Sequence, residues 1–328
     1  MSSTAETMLP SRISVPSNLP ELVKNAFNRA RASGDVNFYP TQVRLLNINS
    51  IPFQLRYAPS LLSKPKAAKS TTNTSAAPFD PFDNPPPPML ICPLAPSHIL
   101  ALNKFAIVPE HFILATKEHK HQEDLLESSD LEAAYACVQG YEREGKELFV
   151  FFNSGNGSGA SQAHRHLQLL EVENMKEGLD QQEGWDLLIK KLGRKEVRDG
   201  LPFKVFVEGI NRKGEGLREV YLRLYREGCK SLGVEGNEED GRAKISYNLG
   251  MTRDWMVLMP RIEEGREVRS LQSGEVIGKL ALNGTVLAGT ALVKSSEEWE
   301  ALKGEEGERK VREVLERIGV VNRVDAVL

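Results

Sequence analysis

Apolar residues near the N-terminus recur at the spacing of an amphipathic helix. Between residues 20 and 32 the pattern is followed by Gly34, a residue that commonly ends helices. The apolar positions are Leu22, Val23, Ala26, Phe27 and Ala30. This spacing predicts a first helix with one buried face.

From residue 89 the apolar residues form short runs instead. The runs 89–94, 98–102, 105–108 and 112–116 are separated by prolines and polar residues, which is typical of antiparallel strands. A helix beginning near Ser129 or Asp130 and a strand over 147–152 follow.

The C-terminal part mixes both patterns. Helical spacing predicts helices over 181–192, 217–232 and within the last forty residues, and apolar runs predict strands over 203–207, 244–249 and 255–259. The charged stretch 175–200 indicates a boundary, which divides the chain into regions 1–195 and 196–328.

The segment 60–88 is rich in Lys, Ser, Thr, Asn and Pro and ends in four consecutive prolines. Such a composition sustains neither a helix nor a strand ladder, so it predicts a mobile surface loop. Its lysines, Lys64, Lys66 and Lys69, are most simply a solvated run of charge.

Composition narrows the function classes. The 328 residues carry 42 Lys+Arg and 45 Asp+Glu, a net charge of −3, which disfavours a nucleic-acid binder and favours a small ligand. Three separated cysteines, no 18-residue apolar run and no secretion pattern predict a cytoplasmic protein, with the nucleus as an alternative and no membrane partner.

The stretch 153–168 carries the candidate chemistry. Its first half contains Gly155, Gly157 and Gly159 directly after an apolar strand. Glycines let backbone N–H groups converge on a phosphate. Most such loops are only turns, so this half alone is a weak indication.

The second half alternates polar and apolar residues. In a strand, His164, His166 and Gln168 share one face, while Arg165 and two leucines share the other. The simplest alternative is a half-exposed strand with incidental histidines, and a zinc site lacks its third and fourth ligands. Neutral imidazole is a suitable nucleophile for phosphorus, which favours phosphoryl or nucleotidyl transfer.

These residues carry a family resemblance. Asn153, Gly155, Gly159, Ser161, His164, His166 and Gln168 match the Asn-x-Gly-x-x-x-Gly-x-Ser-x-x-His-x-His-x-Gln signature of the nucleotidyl-transferase branch of the histidine-triad superfamily. Arg165 stands where galactose-1-phosphate uridylyltransferases carry proline. With motifs at 53–56, 98–105, 111–116, 247–248, 251–256 and 260–261, the chain resembles the fungal-type diadenosine tetraphosphate phosphorylases, or ATP adenylyltransferases.

The resemblance implies roles for single residues. His166 is the implied nucleophile, flanked by His164 and Gln168. The implied substrate-binding residues are Gly159, Ala160, Ser161 and Gln162 in the phosphate loop, Asn103, Lys104 and Asn153 at the nucleotide, Lys64 at the polyphosphate, and Asn283, Gly284, Thr285, Thr290 and Lys294 in a second segment.

The resemblance also implies a fold and a reaction. The expected fold is α+β, a histidine-triad-like antiparallel sheet with flanking helices and a C-terminal α/β extension. The expected reaction is phosphorolysis of diadenosine tetraphosphate to ADP and ATP through an adenylyl-histidine, with no tightly bound cofactor or metal site and a divalent cation, Mg²⁺, accompanying the nucleotide. The expected partners are dinucleoside polyphosphates, ATP, ADP and phosphate, and the expected state is a monomer or weak homodimer. The alternatives are a dinucleoside polyphosphate hydrolase and a catalytically silent nucleotide-binding protein.

Overall fold

The protein folds into an α+β architecture. The computed structural model describes residues 13–63, 80–179, 184–210, 216–270 and 273–322. Its helices are α1 (Leu19–Ser33), α2 (Ser128–Arg143), α3 (Leu188–Lys191), α4 (Lys195–Gly200), α5 (Leu217–Ser231), α6 (Ser296–Leu302) and α7 (Glu305–Ile318). Its strands are β1 (Asn37–Phe38), β2 (Gln42–Ile48), β3 (Ile51–Tyr57), β4 (Leu90–Leu94), β5 (His98–Leu102), β6 (Phe105–Ala106), β7 (Phe112–Thr116), β8 (Leu148–Ser154), β9 (His166–Glu171), β10 (Phe206–Gly209), β11 (Ser246–Met251), β12 (Trp255–Arg261), β13 (Gly265–Arg269), β14 (Val276–Ala281) and β15 (Thr290–Val293).

An eight-stranded antiparallel sheet forms the centre of the molecule. Its strand order is β10-β12-β11-β8-β9-β7-β5-β4. Every residue of β8, at the middle of this sheet, is buried, as expected for a strand covered on both faces. The fold class predicted from the sequence is confirmed.

Two hydrophobic cores cover the two faces of this sheet. On one face, α1, α2 and α5 bury Leu167 and Leu169 of β9 together with Tyr221 and Tyr225 of α5. The other face packs Phe149 and Phe151 of β8 against β3, β15 and α7. The sheet is therefore the middle of three layers.

A smaller three-stranded sheet joins distant parts of the chain. β3 pairs antiparallel with β2 and parallel with β15, so residues 54–57 lie beside residues 290–293. Strands β10, β11 and β12 extend the large sheet from beyond residue 196. Both sheets thus cross the predicted boundary between regions 1–195 and 196–328, and that division stays a prediction.

The helix predicted over 181–192 is wrong for most of the residues that the structure describes. Only Leu188–Lys191 is helical, residues 184–187 lie outside any helix or strand, and residues 180–183 lie outside the described ranges. The cause is tertiary packing, because Trp185 is buried and its Nε1 donates to the Gly289 carbonyl at 3.4 Å. This contact overrides the helical spacing of the apolar residues.

The predicted loop over 60–88 differs from the structure at both ends. Residues Pro59–Ser63 and Pro87–Met89 form short 3₁₀ helices, and Phe82 is 6% exposed because it packs on the large sheet. Residues 64–79 lie outside the described ranges. Residues 80–83 lie within the described ranges.

Two features bear on the compartment and membrane predictions. Cys92, Cys137 and Cys229 are free thiols. Among the helices that the structure describes, none combines the length and apolar character needed to cross a bilayer.

Candidate active site

His166 is the first residue of β9, an interior strand of the central sheet. Its Nδ1 lies 2.8 Å from the backbone carbonyl of His164. A carbonyl only accepts hydrogen bonds, so Nδ1 carries the proton and Nε2 holds the lone pair. The backbone therefore selects the tautomer that a nucleophile at Nε2 requires.

The surroundings of His166 keep its ring neutral. The side chain is 3% exposed, and burial is the main cause that lowers the pKa of His166 from 6.5 to about 4. The hydrogen bond to His164 offsets only part of this effect. At neutral pH the imidazole is thus uncharged and its lone pair is available for attack.

His164 lies next to His166 but is already engaged on both ring nitrogens. It precedes β9 and forms an isolated bridge with His121. Its Nδ1 lies 2.7 Å from Asp80 Oδ2, and its Nε2 lies 2.8 Å from the Thr116 carbonyl oxygen and 2.9 Å from the Thr116 hydroxyl. In this arrangement the ring of His164 binds Asp80 and Thr116. Its predicted contact with phosphate stays a prediction.

Gln168 shares the face of His166, as the alternation predicts. In the register of the sheet, Gln168 pairs with Ile113 of β7 and Phe151 of β8, and His166 pairs with Ala115. The opposite face carries Arg165, which is 3% exposed and makes ion pairs with Glu127 and Asp130 on the α2 side of the sheet. The side-chain alternation inferred from sequence is therefore present.

Gln168 connects to Asn103 through a buried histidine. Gln168 hydrogen-bonds His111, whose pKa burial lowers to about 4. The Asn103 amide lies 3.3 Å from His111 Nδ1, and its Oδ1 accepts the Phe105 N–H at 3.0 Å. Asn103 thus closes the β5–β6 turn beside the face of the sheet that carries His166 and Gln168.

The glycine loop requires two left-handed residues. Gly155 and Gly159 have φ values of +83° and +79°, which other residues adopt at a cost. A Cβ on Gly159 would lie 2.9 Å from the Leu282 carbonyl oxygen. The loop is consequently pressed against the segment that contains Asn283.

The residues after Gly159 offer free backbone donors. Ala160, Ser161 and Gln162 are exposed, and within the described ranges no acceptor is found for their N–H groups. Successive free N–H groups after a left-handed glycine are suited to bind an anion. They lie four to six residues before His166 in the chain.

Asn153 ties the glycine loop to the C-terminal segment. It is 2% exposed, and its Oδ1 accepts the Gly284 N–H at 2.8 Å and the Asn248 amide at 2.9 Å. The same Asn248 amide donates to the Ser158 carbonyl at 2.9 Å. The side chain of Asn153 is thus used within the protein, between two segments predicted to bind substrate.

Arg261 stabilises this polar network with hydrogen bonds from its guanidinium group. It is 2% exposed, hydrogen-bonds Asn248 Oδ1, and donates to the Leu282 carbonyl at 2.9 Å. It also donates to the carbonyls of Glu263, Glu264 and Ile318. Burial lowers the pKa of Arg261 to about 10, so it remains a cation at neutral pH.

Gln122 holds the backbone of His166. Its Oε1 accepts the His166 N–H at 2.8 Å, and its Nε2 donates to the Asn153 carbonyl at 2.8 Å and the His166 carbonyl at 3.2 Å. Gln122 is 3% exposed. One side chain therefore joins the start of β9 to the end of β8.

The other predicted residues have different surroundings. Lys104 and Lys294 are exposed, and Lys64 lies outside the described ranges. Asn283 accepts from the N–H and hydroxyl of Thr285 beside the glycine loop. Thr290 is buried and donates to Gln54 at 3.2 Å in the smaller sheet. The binding roles of all six stay predictions.

Several residues of the site escaped the sequence analysis. Asn248 and Arg261 were noted only as parts of motifs, although buried polar residues in apolar strands are a usable signal. Asp80 and Phe82 stood in a segment predicted to be mobile. Gln122 lies in a polar stretch with no distinguishing pattern.

Two family models match the chain. The Ap4A phosphorylase N-terminal domain matches residues 10–182, and the ATP adenylyltransferase C-terminal domain matches residues 199–321. Ap4A denotes diadenosine tetraphosphate. The first match contains the glycine loop, His164, His166 and Gln168.

Two curated relatives align with almost the whole chain, as the two family models together do. Protein APA1 of Saccharomyces cerevisiae is 27% identical over 87% of this chain and 89% of its own length. Diadenosine 5',5'''-P1,P4-tetraphosphate phosphorylase 2 of the same species is 28% identical, covering 88% of this chain and 91% of its own.

Solved structures show the same fold. The crystal structure of yeast Ap4A phosphorylase Apa2 has a TM-score of 0.72 and 24% identity, covering 94% of this chain and 99% of its own. The structure of Apa2 in complex with Ap4A has a TM-score of 0.69 and 25% identity over the same shares. With both domain models matched in order and the histidine strand beside the glycine loop, the chain belongs to the Ap4A phosphorylase and ATP adenylyltransferase family.

Proposed function

We propose that this protein is a nucleotidyltransferase that phosphorolyses diadenosine tetraphosphate to ADP and ATP. The observation that carries the proposal is His166, a neutral imidazole whose Nδ1 is held by a backbone carbonyl. One relative is named a diadenosine tetraphosphate phosphorylase, and Apa2 has been crystallised in complex with Ap4A and with AMP. Both facts support this substrate.

The first half-reaction transfers AMP to the protein. His166 Nε2 attacks the α-phosphorus, an N–P bond forms, and the P–O bond to ATP breaks as ATP leaves with the bonding electrons. In the second half-reaction an oxygen of inorganic phosphate attacks the same phosphorus. The N–P bond then breaks, ADP forms, and His166 returns to its neutral state.

The glycine loop supplies the electrostatic part of the mechanism. We infer that the N–H groups of Ala160, Ser161 and Gln162 hydrogen-bond the phosphate oxygens where negative charge develops. Removing one such donor elsewhere costs about 2.7–4 kcal/mol of transition-state stabilisation. Gln168 lies on the same face as His166 and is placed to donate to the same phosphate.

A divalent cation is proposed to arrive with the nucleotide. Within the described residues, no group of three or more His, Cys, Asp or Glu side chains is arranged to hold a metal ion. We assign Mg²⁺ to the polyphosphate of the substrate, and this assignment stays a prediction. A cytoplasmic location, with the nucleus as an alternative, and a monomer or weak homodimer remain predictions.

The decisive test is replacement of the nucleophile. His166→Ala is expected to abolish both phosphorolysis and the covalent adenylyl-protein detected by mass spectrometry under excess substrate. Gln42→Ala is a control, because Gln42 is exposed at the start of β2 in the smaller sheet and its loss should still allow the adduct to form. Phosphorolysis by His166→Ala at the rate of the parent protein would refute the assignment.

Product analysis separates phosphorolysis from hydrolysis. With inorganic phosphate present, ADP and ATP are expected, whereas a hydrolase gives AMP and ATP with or without phosphate. A protein that binds the nucleotide without forming either product pair would be the silent alternative.

A further inference from the structure

Asp80 and Phe82 form a cover over the histidines, and nothing in the sequence signature assigns a role to them. Phe82 packs with Ile99, Ile113 and Ala115 on the catalytic face. Its ring centroid lies 5.1 Å from that of His166 and 5.6 Å from that of His164. The cover therefore touches both histidines and limits the access of water to them.

Asp80 and Phe82 form one structural unit. Asp80 Oδ1 accepts the Phe82 N–H at 2.9 Å, while Asp80 Oδ2 contacts His164 Nδ1 at 2.7 Å. Each carboxylate oxygen thus has its own partner. Asp80 fixes the turn that carries Phe82 and at the same time binds the ring of His164.

The hydrogen-bond partners of the two ring nitrogens indicate the charge of His164. Its Nε2 lies 2.8 Å from the Thr116 carbonyl, which only accepts, so Nε2 carries a proton and the Thr116 hydroxyl at 2.9 Å faces it as a second acceptor. Its Nδ1 faces the Asp80 carboxylate, which also accepts when ionised. Both nitrogens then carry protons, and the ring is an imidazolium paired with a carboxylate.

The charged neighbourhood is consistent with this pair. Burial acts to raise the pKa of Asp80, but hydrogen bonds from Phe82 and His164 and the charges of His164 and His119 outweigh it and lower that pKa. Among the described residues, the polar and titratable groups beside the His164 ring are Asp80, Thr116, His119 and His166, and His121 pairs with His164 along the backbone. Asp80 is the one anion among them.

We propose that Asp80 is a positioning residue of the active site, which holds His164 as an imidazolium clamped between the Asp80 carboxylate and the Thr116 carbonyl. This inference rests on the proposed nucleotidyl transfer at His166. The clamp fixes the backbone of His164, and the carbonyl of His164 accepts the Nδ1 proton of His166. Asp80 thereby maintains the tautomer with a free Nε2, without touching the substrate.

The clamp also suits a site for polyphosphate. An unpaired carboxylate near the reacting phosphates would repel them. Paired with an imidazolium at 2.7 Å, Asp80 adds no net charge to the site. This explains how an acidic residue is placed beside a nucleophile whose target is anionic.

The first test reads the protonation of His164 directly. The chain has six histidines, and ring ¹⁵N resonances of histidine-labelled protein distinguish an imidazolium from a neutral ring. A His164→Asn variant assigns the signal. At about pH 7, above the ordinary histidine pKa, we expect two protonated nitrogens at His164 in the full chain. In Asp80→Asn one of them should become unprotonated, because the introduced amide can donate to Nδ1.

The second test measures catalysis with a matched control. Asp83→Asn removes the same charge from the same segment, and Asp83 is exposed. Asp80→Asn is expected to lower kcat about 10-fold or more, the usual effect of losing a group that orients a functional histidine. Its KM should stay within about twofold of the control, since Asp80 does not contact substrate.

The outcomes separate this inference from the proposed function. A neutral His164 in the parent protein, or a kcat of Asp80→Asn equal to that of Asp83→Asn, overturns the role of Asp80. Absence of phosphorolysis in the parent protein, together with an imidazolium at His164, refutes the proposed function and leaves the clamp intact. An imidazolium at His164 and a selective loss of kcat support both.

Discussion

Replacing Gln122 with methionine tests whether the backbone of His166 needs support from outside the sheet. Methionine has nearly the same length as glutamine but no amide. The substitution removes the acceptor of the His166 N–H and the donor to the carbonyls of Asn153 and His166.

The expected cost follows from these three hydrogen bonds. A buried N–H left without a partner costs about 1–3 kcal/mol, and an ordinary intramolecular hydrogen bond contributes about 1 kcal/mol. Gln122 is 3% exposed, so water cannot easily replace it. We expect Gln122→Met to lower the free energy of unfolding by about 2–4 kcal/mol. Because the start of β9 loosens, kcat should fall as well.

Equilibrium unfolding in urea measures the first effect, and steady-state phosphorolysis under conditions where the variant is folded measures the second. Gln42→Met is the control, since Gln42 is exposed at the start of β2 and such surface changes stay within about 0.5 kcal/mol. If Gln122→Met unfolds at the same urea concentration as the control and keeps its kcat, the assigned support is wrong.

Three further predictions follow from the site. The pKa of His166 near 4 predicts an adenylylation rate, measured in single turnover, that stays flat from about pH 8 to 5, whereas an ordinary histidine would lose rate below about 6.5. The unfolded chain binds more protons at His111 and His166 between about pH 6.5 and 4. The free energy of unfolding should therefore decrease as the pH is lowered through that window, by up to about 3 kcal/mol for each histidine; an unchanged value in urea unfolding at about pH 7 and 4.5 contradicts this. Gly159→Ala should be markedly worse than Gly34→Ala in stability and activity, because both have positive φ but only Gly159 has backbone 2.9 Å from the new Cβ; equal losses would show that the contact is unimportant.

The parts of the site that are visible in the sequence are local. His166 and Gln168 alternate within one strand, and the three glycines precede them directly, so their placement follows from the geometry of a strand and a turn. Strands β5 and β7 were predicted exactly at 98–102 and 112–116 because polar residues and prolines bound each run. The Gly34 stop of α1 was also correct, with φ of +81°.

The parts that were not predicted depend on distant contacts. Strand β3 contains Gln54 and Arg56, which break the apolar pattern but are buried because both donate to the Met175 carbonyl. Its partner β15 comes from about 230 residues later, a pairing that no local pattern encodes. Asp80 and Gln122 likewise act through hydrogen bonds to residues 31 or more positions away, Asp80 to His164 and Gln122 to Asn153 and His166.

The pairing of β3 with β15 and of β8 with β11 has a consequence for synthesis on the ribosome. The glycine loop emerges first, and Asn248 and Gly284, which hold Asn153, emerge 95 and 131 residues after Asn153. A nascent chain released before that point would carry the complete histidine motif on an unfinished sheet. The order of the elements along the gene therefore delays assembly of the nucleotide site until the segment that contains Gly284 has been made.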